Sequence, residues 1–274
     1  VHLDRARVLG FEFLDVTARL EPLADAWRVT ASGPMAEGAV TIPADFAGGQ
    51  PLLLDMRKLV LQAAPDVPGA PPREDSDPRQ LPAIEARAGE FTWQGRRFGR
   101  LDARLERVPQ GLRLTHLATE SKHFTLNGRG SWLVESGGPR TRLALEFASD
   151  DLAGASRALG YRDSVDADRA RASADVNWGG GPAEDALERL DGTVHLELER
   201  GQLREVEPGA GRMLGLLSVV DLPRRLALDF RDVTDKGLAF DKVHGDFEMR
   251  AGSAYTKNLL LEGAAVDIGV IGRT

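Results

Sequence analysis

Cysteine is absent from the 274-residue chain, which excludes disulfides, thiolate nucleophiles and cysteine-based metal sites. Aromatic residues are few, at 6% of the chain. Four Trp and two Tyr are little material for the exposed aromatic platforms of a carbohydrate- or ligand-binding β module. Trp27, Trp93, Trp132 and Trp178 recur near expected strand ends and read as packing residues. No run of Lys or Arg builds a basic face, and the net charge is -7, so nucleic acid is not an expected partner. No stretch reaches the roughly 18 apolar residues that a membrane-spanning helix needs. No signal peptide is visible at Val1.

What is present is a globular balance of 42% hydrophobic and 28% charged residues. The pattern is period-2 alternation, the mark of strands with one dry and one wet face. Val194, Leu196 and Leu198 share a face, with His195, Glu197 and Glu199 on the other. Leu226, Leu228 and Phe230 alternate in the same way, as do Leu143, Leu145 and Phe147. A sheet with one wet face is the antiparallel pattern.

The alternating segments repeat. Phe98 to Leu105, a turn at Val108-Pro109-Gln110-Gly111, Leu112 to Leu117 and Phe124 to Arg129 form one three-strand unit. A second begins with Phe240, Val243 and Phe247, turns at Ala251-Gly252, runs from about Ala254 to Leu261 and ends with Val266 to Gly272. Phe11 to Leu20, Trp27 to Thr30 and Ala39 to Ile42 follow the plan more loosely. Each unit is about 30 to 35 residues long. The expected fold is all-β, mostly antiparallel, with a few short helices; periodicity leaves open a sandwich, a closed barrel, or an elongated, curved, repeat-built open sheet forming an apolar groove. About sixteen strands at ~4.8 Å spacing would make a sheet roughly 75 Å long if left open.

Three short helices are expected, at Asp151 to Leu159, Pro182 to Leu190 and Pro208 to Val219. All are too short to stand alone and must dock on the sheet. The third carries Met213, Leu214, Leu216 and Leu217 and would cap the groove. Residues 63–82 are proline-rich and read as a linker or loop between a β-repeat segment at 1–62 and a longer one at 83–274. Both chain ends fall in strand-like sequence, so the chain reads as part of a longer protein.

Chemistry-bearing motifs are weak. Pro208-Gly209-Ala210-Gly211-Arg212 lacks the Gly-Lys-Ser/Thr ending of a phosphate-binding loop and reads as a helix-starting turn. Gly179-Gly180-Gly181 reads as a hairpin turn. The five His residues show no HExxH and no helical i, i+4 pair, so no metal is expected. Asp150-Asp151 and Asp163, Asp166 and Asp168 read as caps and loop charges. There is no GxSxG. No enzyme and no cofactor are expected.

One region is more specific. Gly201-Gln202-Leu203, Glu207 to Ser218 and Leu222-Pro223-Arg224-Arg225-Leu226-Ala227-Leu228-Asp229-Phe230-Arg231-Asp232-Val233 resemble the closing region of the YhdP family of AsmA-like proteins. Asp77-Pro78-Arg79-Gln80-Leu81-Pro82 and Phe240 to Arg273 are similar to that family too, whereas residues 1–60 match only in rhythm. The resemblance implies a carboxyl-terminal periplasmic portion of an inner-membrane-anchored protein of the Gram-negative envelope. Phospholipid would be its cargo, and inner- and outer-membrane components would be partners of the parent protein. On periodicity alone the apolar stripe fits a closed core first; with the resemblance it reads as a groove that shields acyl chains. Leu101, Leu105, Leu143, Leu145, Phe147, Val194, Leu196, Leu198, Leu226, Leu228, Phe230, Phe240 and Phe247 would line it. The competing reading is an envelope scaffold that binds protein partners through sheet edges, and unpaired edges would also invite edge-to-edge self-association of the chain.

Overall fold

A computed structural model describes residues 1–8, 11–45, 49–63, 77–162, 164–182, 186–203, 238–264 and 267–273. Among them lie fifteen strands of one sheet, whose spatial order follows the chain from β1 to β15. The chain divides into two compact units. The first is Val1–Lys122, Leu126–Leu143 and Trp178–Ala186; the second is His123–Thr125, Ala144–Asn177 and Leu187–Thr274.

The first unit holds β1 (His2–Val8), β2 (Phe11–Pro22), β3 (Ala26–Ser32), β4 (Ala36–Pro43), β5 (Leu52–Ala63), β6 (Ile84–Trp93), β7 (Arg96–Val108) and β8 (Gly111–Glu120). β9 (Thr125–Glu135), β10 (Gly138–Ser149) and β11 (Val165–Gly179) contribute to both units. β12 (Asp191–Leu203), β13 (Leu238–Arg250), β14 (Ser253–Glu262) and β15 (Ile268–Arg273) belong to the second. The repeats read from sequence are β7 to β9, β13 to β15 and β2 to β4.

From β1 to β8 and from β11 to β15 neighbouring strands pair antiparallel, with one exception. β5 and β6 run parallel, with Leu54 opposite Ala86 and Leu59 opposite Phe91. Parallel neighbours need a long crossover, and the proline-rich residues between Ala63 and Ile84 supply it. Most of that linker, 64–76, lies outside the described residues. Its final part is a 3-10 turn, Pro78–Gln80, in which Asp77 accepts the Arg79 N–H. Pro78 is fully buried there.

Two hairpins close with two residues in the left-handed region. Gln94-Gly95 joins β6 to β7, with φ of 49° and 78°, and Ala251-Gly252 joins β13 to β14, with φ of 46° and 79°. This geometry matches the right-handed twist of the flanking strands.

Alternation along the strands is interrupted by a recurring step. Within a strand, core residues are spaced two apart and then three apart: Met56 and Leu59, Ala88 and Phe91, Ala167 and Ala170, Phe240 and Val243. The pairs between them, Arg57-Lys58, Gly89-Glu90, Asp168-Arg169 and Asp241-Lys242, are exposed or half-exposed. Each step reverses the phase of alternation, and the steps align across neighbouring strands.

β2 also reaches past the tip of the β3–β4 hairpin to β5. Phe11 pairs with Ala63 and Glu12 with Gln62. β2 changes conformation at Asp15, whose φ is 53°. The Ala63 N–H donates to the Gln94 side-chain oxygen at 3.2 Å. Phe11 meets Trp93 edge to face, with ring centroids 5.3 Å apart.

The helical expectations need correction. The first helix is α1 (Leu152–Ala158), and Asp151 is its N-cap rather than its first residue. The Asp151 carboxylate accepts the Gly154 N–H at 2.8 Å, which removes the residue from the helix proper. Leu152 packs against the core of the second unit. Of the expected Pro182–Leu190 helix, the described residues show only a 3-10 turn, Leu187–Arg189. The expected helix from Pro208 to Val219 lies outside the described residues.

Gly99 tests the packing of the first unit. Its φ is 79°, and a Cβ there would run into the Glu120 carbonyl on β8. Gly99→Ala is expected to lower stability by about 1–3 kcal/mol, read as the shift of the urea midpoint at constant m-value.

Candidate functional site

Register builds the apolar surface of the first unit row by row. One row runs Leu20, Val29, Val40, Leu54, Ala86, Ala103, Leu117 across seven strands, from β2 to β8. The next runs Ala18, Ala31, Gly38, Met56, Ala88, Leu101, Thr119. Beyond the phase step a third row holds Ala36, Leu59, Phe91 and Gly99. Large residues such as Leu54, Met56 and Phe91 pack beside small ones such as Ala86, Ala88 and Gly99 in these rows.

The second unit repeats the device. Ala170, Leu198, Val243, Leu261 and Ile268 form one row, of which all but Ile268 are buried. Ala174, Val194, Phe247, Thr256 and Gly272 form another. Between them Leu196 faces Gly245, and Leu259 faces Val270. Val194, Leu196, Phe247, Leu259 and Val270 are half-buried, so this part of the face still presents aliphatic surface. Thr256 is the buried polar residue of these rows.

The opposite face is charged and largely paired with itself. Arg169 donates to Glu199 at 2.7 Å, Lys242 meets Glu197 at 2.6 Å, and Arg200 meets Asp168 at 3.1 Å. Asp246 accepts from Asn258 at 2.6 Å and faces His195 at 2.8 Å. The Asn258 amide, and then His195, hold the Asp246 carboxyl below the usual carboxylate range. Lys242 does the same for Glu197. In the first unit Arg57 bridges Glu37, Arg87 lies 3.4 Å from Asp102, and Arg104 lies 3.5 Å from Glu85.

The residues expected to line a groove divide accordingly. Leu101, Leu198 and Phe240 are buried in the two cores. Leu105, Leu143, Leu145, Phe147, Val194, Leu196 and Phe247 are half-buried. Val194, Leu196, Leu198, Phe240, Phe247 and Phe147 come together in the second unit, where Phe147 also stacks on Phe124 at 5.4 Å. Leu101 and Leu105 share the face of β7 in the first unit. Leu226, Leu228 and Phe230, and the capping residues Met213, Leu214, Leu216 and Leu217, lie outside the described residues.

The sequence reading missed the face of β2 to β6, with Phe13, Val16, Val40, Leu54, Met56 and Leu59. It also missed the alanines 86, 88, 103, 167 and 170, which are buried because large neighbours pack over them. The signal was the three-residue apolar spacing around a pair with polar or charged residues. Trp27 departs from its expected packing role, being 46% exposed, whereas Trp178 is buried and donates to the Gly181 carbonyl at 3.1 Å. Among the described residues no three His, Asp or Glu gather as metal ligands. No helix among them is long and apolar enough to cross a membrane.

Comparison with known proteins places these faces in context. The family model described as YhdP protein matches residues 1–274. The intermembrane phospholipid transporter YhdP of Escherichia coli (strain K12) is 28% identical over 195 residues, covering 71% of this chain. The chain corresponds to 15% of that relative's length. No solved structure matches the chain.

The cap of α1 gives a pH test. The Gly154 N–H, and then His123 at 2.6 Å, hold the Asp151 carboxyl below its ordinary value. A lowered folded value stabilises the fold above the ordinary carboxylate range and loses that effect as pH falls through the folded value. Asp151→Asn keeps a capping side chain but removes the charge. The variant should melt below the parent at neutral pH, and the two melting temperatures should converge on acidification to about pH 2.

Proposed function

The chain belongs to the YhdP family, and on that premise we propose that it is a section of a bridge-like lipid-transfer protein whose apolar sheet faces shield phospholipid acyl chains between inner and outer membranes. The observation that carries this reading is the same-face register. Rows of aliphatic side chains follow one another strand after strand while ion-paired charges occupy the other face. The relative's name supplies the cargo, phospholipid. The section would work in the periplasm, as part of a longer membrane-anchored protein.

The energetics favour such a surface. Exposing a saturated tail of about sixteen carbons to water costs on the order of 12 kcal/mol, at ~0.8 kcal/mol per CH2. A dry face removes most of that penalty and leaves the headgroup in solvent. Apolar contact is non-directional, so neighbouring positions hold a chain about equally well and it can slide. The lining proposed for the second unit is Val194, Leu196, Phe247, Leu259 and Val270, beside the buried Leu198 and Phe240.

Native mass spectrometry of the chain, with organic extraction of what it carries, tests the reading. Co-purified phospholipid is expected, together with its loss in Leu196→Asp at unchanged far-UV circular dichroism. A lipid-free chain that also fails to take up added phospholipid would overturn it.

A further inference from the structure

Exposure on the apolar face of the first unit is graded along the strands. At the β2–β3 turn Leu20 is 54% exposed, and Leu23 and Trp27 are each 46% exposed. Val29, Val40 and Leu54, which continue the row of Leu20 and lie one step in from Trp27, are half-buried. Further along β5 Met56 and Leu59 fall to 5% and 4%, and Phe91, opposite Leu59 on β6, to 8%. Trp27 shares its face with Val29 and Ala31, so the exposed end and the buried end belong to one surface.

At the buried end the sheet is continuous. Below the β3–β4 tip, β2 and β5 pair directly at Phe11–Ala63 and Glu12–Gln62. The Leu14 N–H points to the Met35 sulfur at 3.3 Å, and the Val60 N–H donates to the Met35 carbonyl at 2.7 Å, so the hairpin tip is tied to both strands. Trp93 packs against Phe11 and Phe91 behind the seam.

Resting on the lipid-transfer reading, we propose that the apolar face of β2 to β8 is a one-ended slot: an acyl chain enters beside Leu20, Leu23 and Trp27 and stops at the β2–β5 seam. Beside the seam Met56, Leu59 and Phe91 are already covered and leave no apolar area for a chain to lie on. An acyl chain fits the mouth better than a headgroup does. The residues there are aliphatic or indole, and the nearby acids Glu21 and Asp25 are engaged by Arg19 at 3.0 Å and Gln50 at 2.9 Å.

Tryptophan quenching tests the slot, because a nitroxide quenches indole fluorescence only at close range. The probe is a lysophospholipid with a nitroxide on its acyl chain, used as monomers with the intact chain. Quenching is expected to drop several-fold in Trp27→Phe and to stay at the parent level in Trp93→Phe, which keeps a ring against Phe11. Equal loss in both variants would show chains crossing the seam and would overturn the slot. Quenching unchanged by either substitution would overturn it too, yet lipid recovered from the same sample would leave the family reading standing. Quenching of Trp27 only by nitroxide lipid held in phosphatidylcholine vesicles would make the turn a bilayer contact and overturn the slot. Failure to take up any lipid would end both proposals.

Discussion

Cross-strand register is the constraint on which the rest depends. Each apolar row exists because residues on neighbouring strands are held opposite one another by backbone hydrogen bonds. A slip of one residue would turn Leu54 or Leu196 to the charged face and bring Asp55 or Glu197 inward. Antiparallel hairpins fix register locally through their turns. The parallel β5–β6 pair has no such turn, and its register is fixed by packing of Leu54 on Ala86 and Leu59 on Phe91. The buried Pro78 turn and the bond from the Leu52 N–H to the Ala83 carbonyl at 2.7 Å anchor the start of β6.

The phase step extends this logic. A flat sheet of strict alternation would keep every odd residue on one side. At Arg57-Lys58, Asp168-Arg169 and Asp241-Lys242, two successive residues turn outward and the phase resets. Arg200, in the left-handed region at φ 47°, lies opposite Asp168 at such a step. Most residues at these steps are charged, so turning outward satisfies them. Their partners lie across the strand or diagonally, as with Arg169 and Glu199 or Lys242 and Glu197. Packing on one face and solvation on the other therefore select the same conformation.

The two faces suit different tasks. Exposed ion pairs are individually weak and screened by salt, but a paired face has little uncompensated charge to attract partners. Among the described residues, the apolar rows carry few directional groups, such as the buried Thr119 and Thr256. A ligand held there is retained by water exclusion rather than by a fixed contact. This is the physical basis of the proposal that acyl chains slip along one face while the other is held by structural pairing.

The sequence by itself determined the β class, the order of the repeats, many of the turns and the dry faces of β10 and β12, because period-2 alternation and glycine turns are local properties. It also carried the family resemblance, through local strings such as Asp77-Pro78-Arg79-Gln80. Tertiary structure alone decided that β5 and β6 run parallel and that β2 rejoins β5 beyond a hairpin tip, since both join residues far apart in the chain. It also decided which leucines are buried and which stay half-exposed. Leu198 and Leu196 look alike in sequence, but Leu198 lies opposite Val243 in a filled row and Leu196 lies opposite Gly245. Burial is a property of what stands across the sheet, and a strand's own residues do not encode its neighbour.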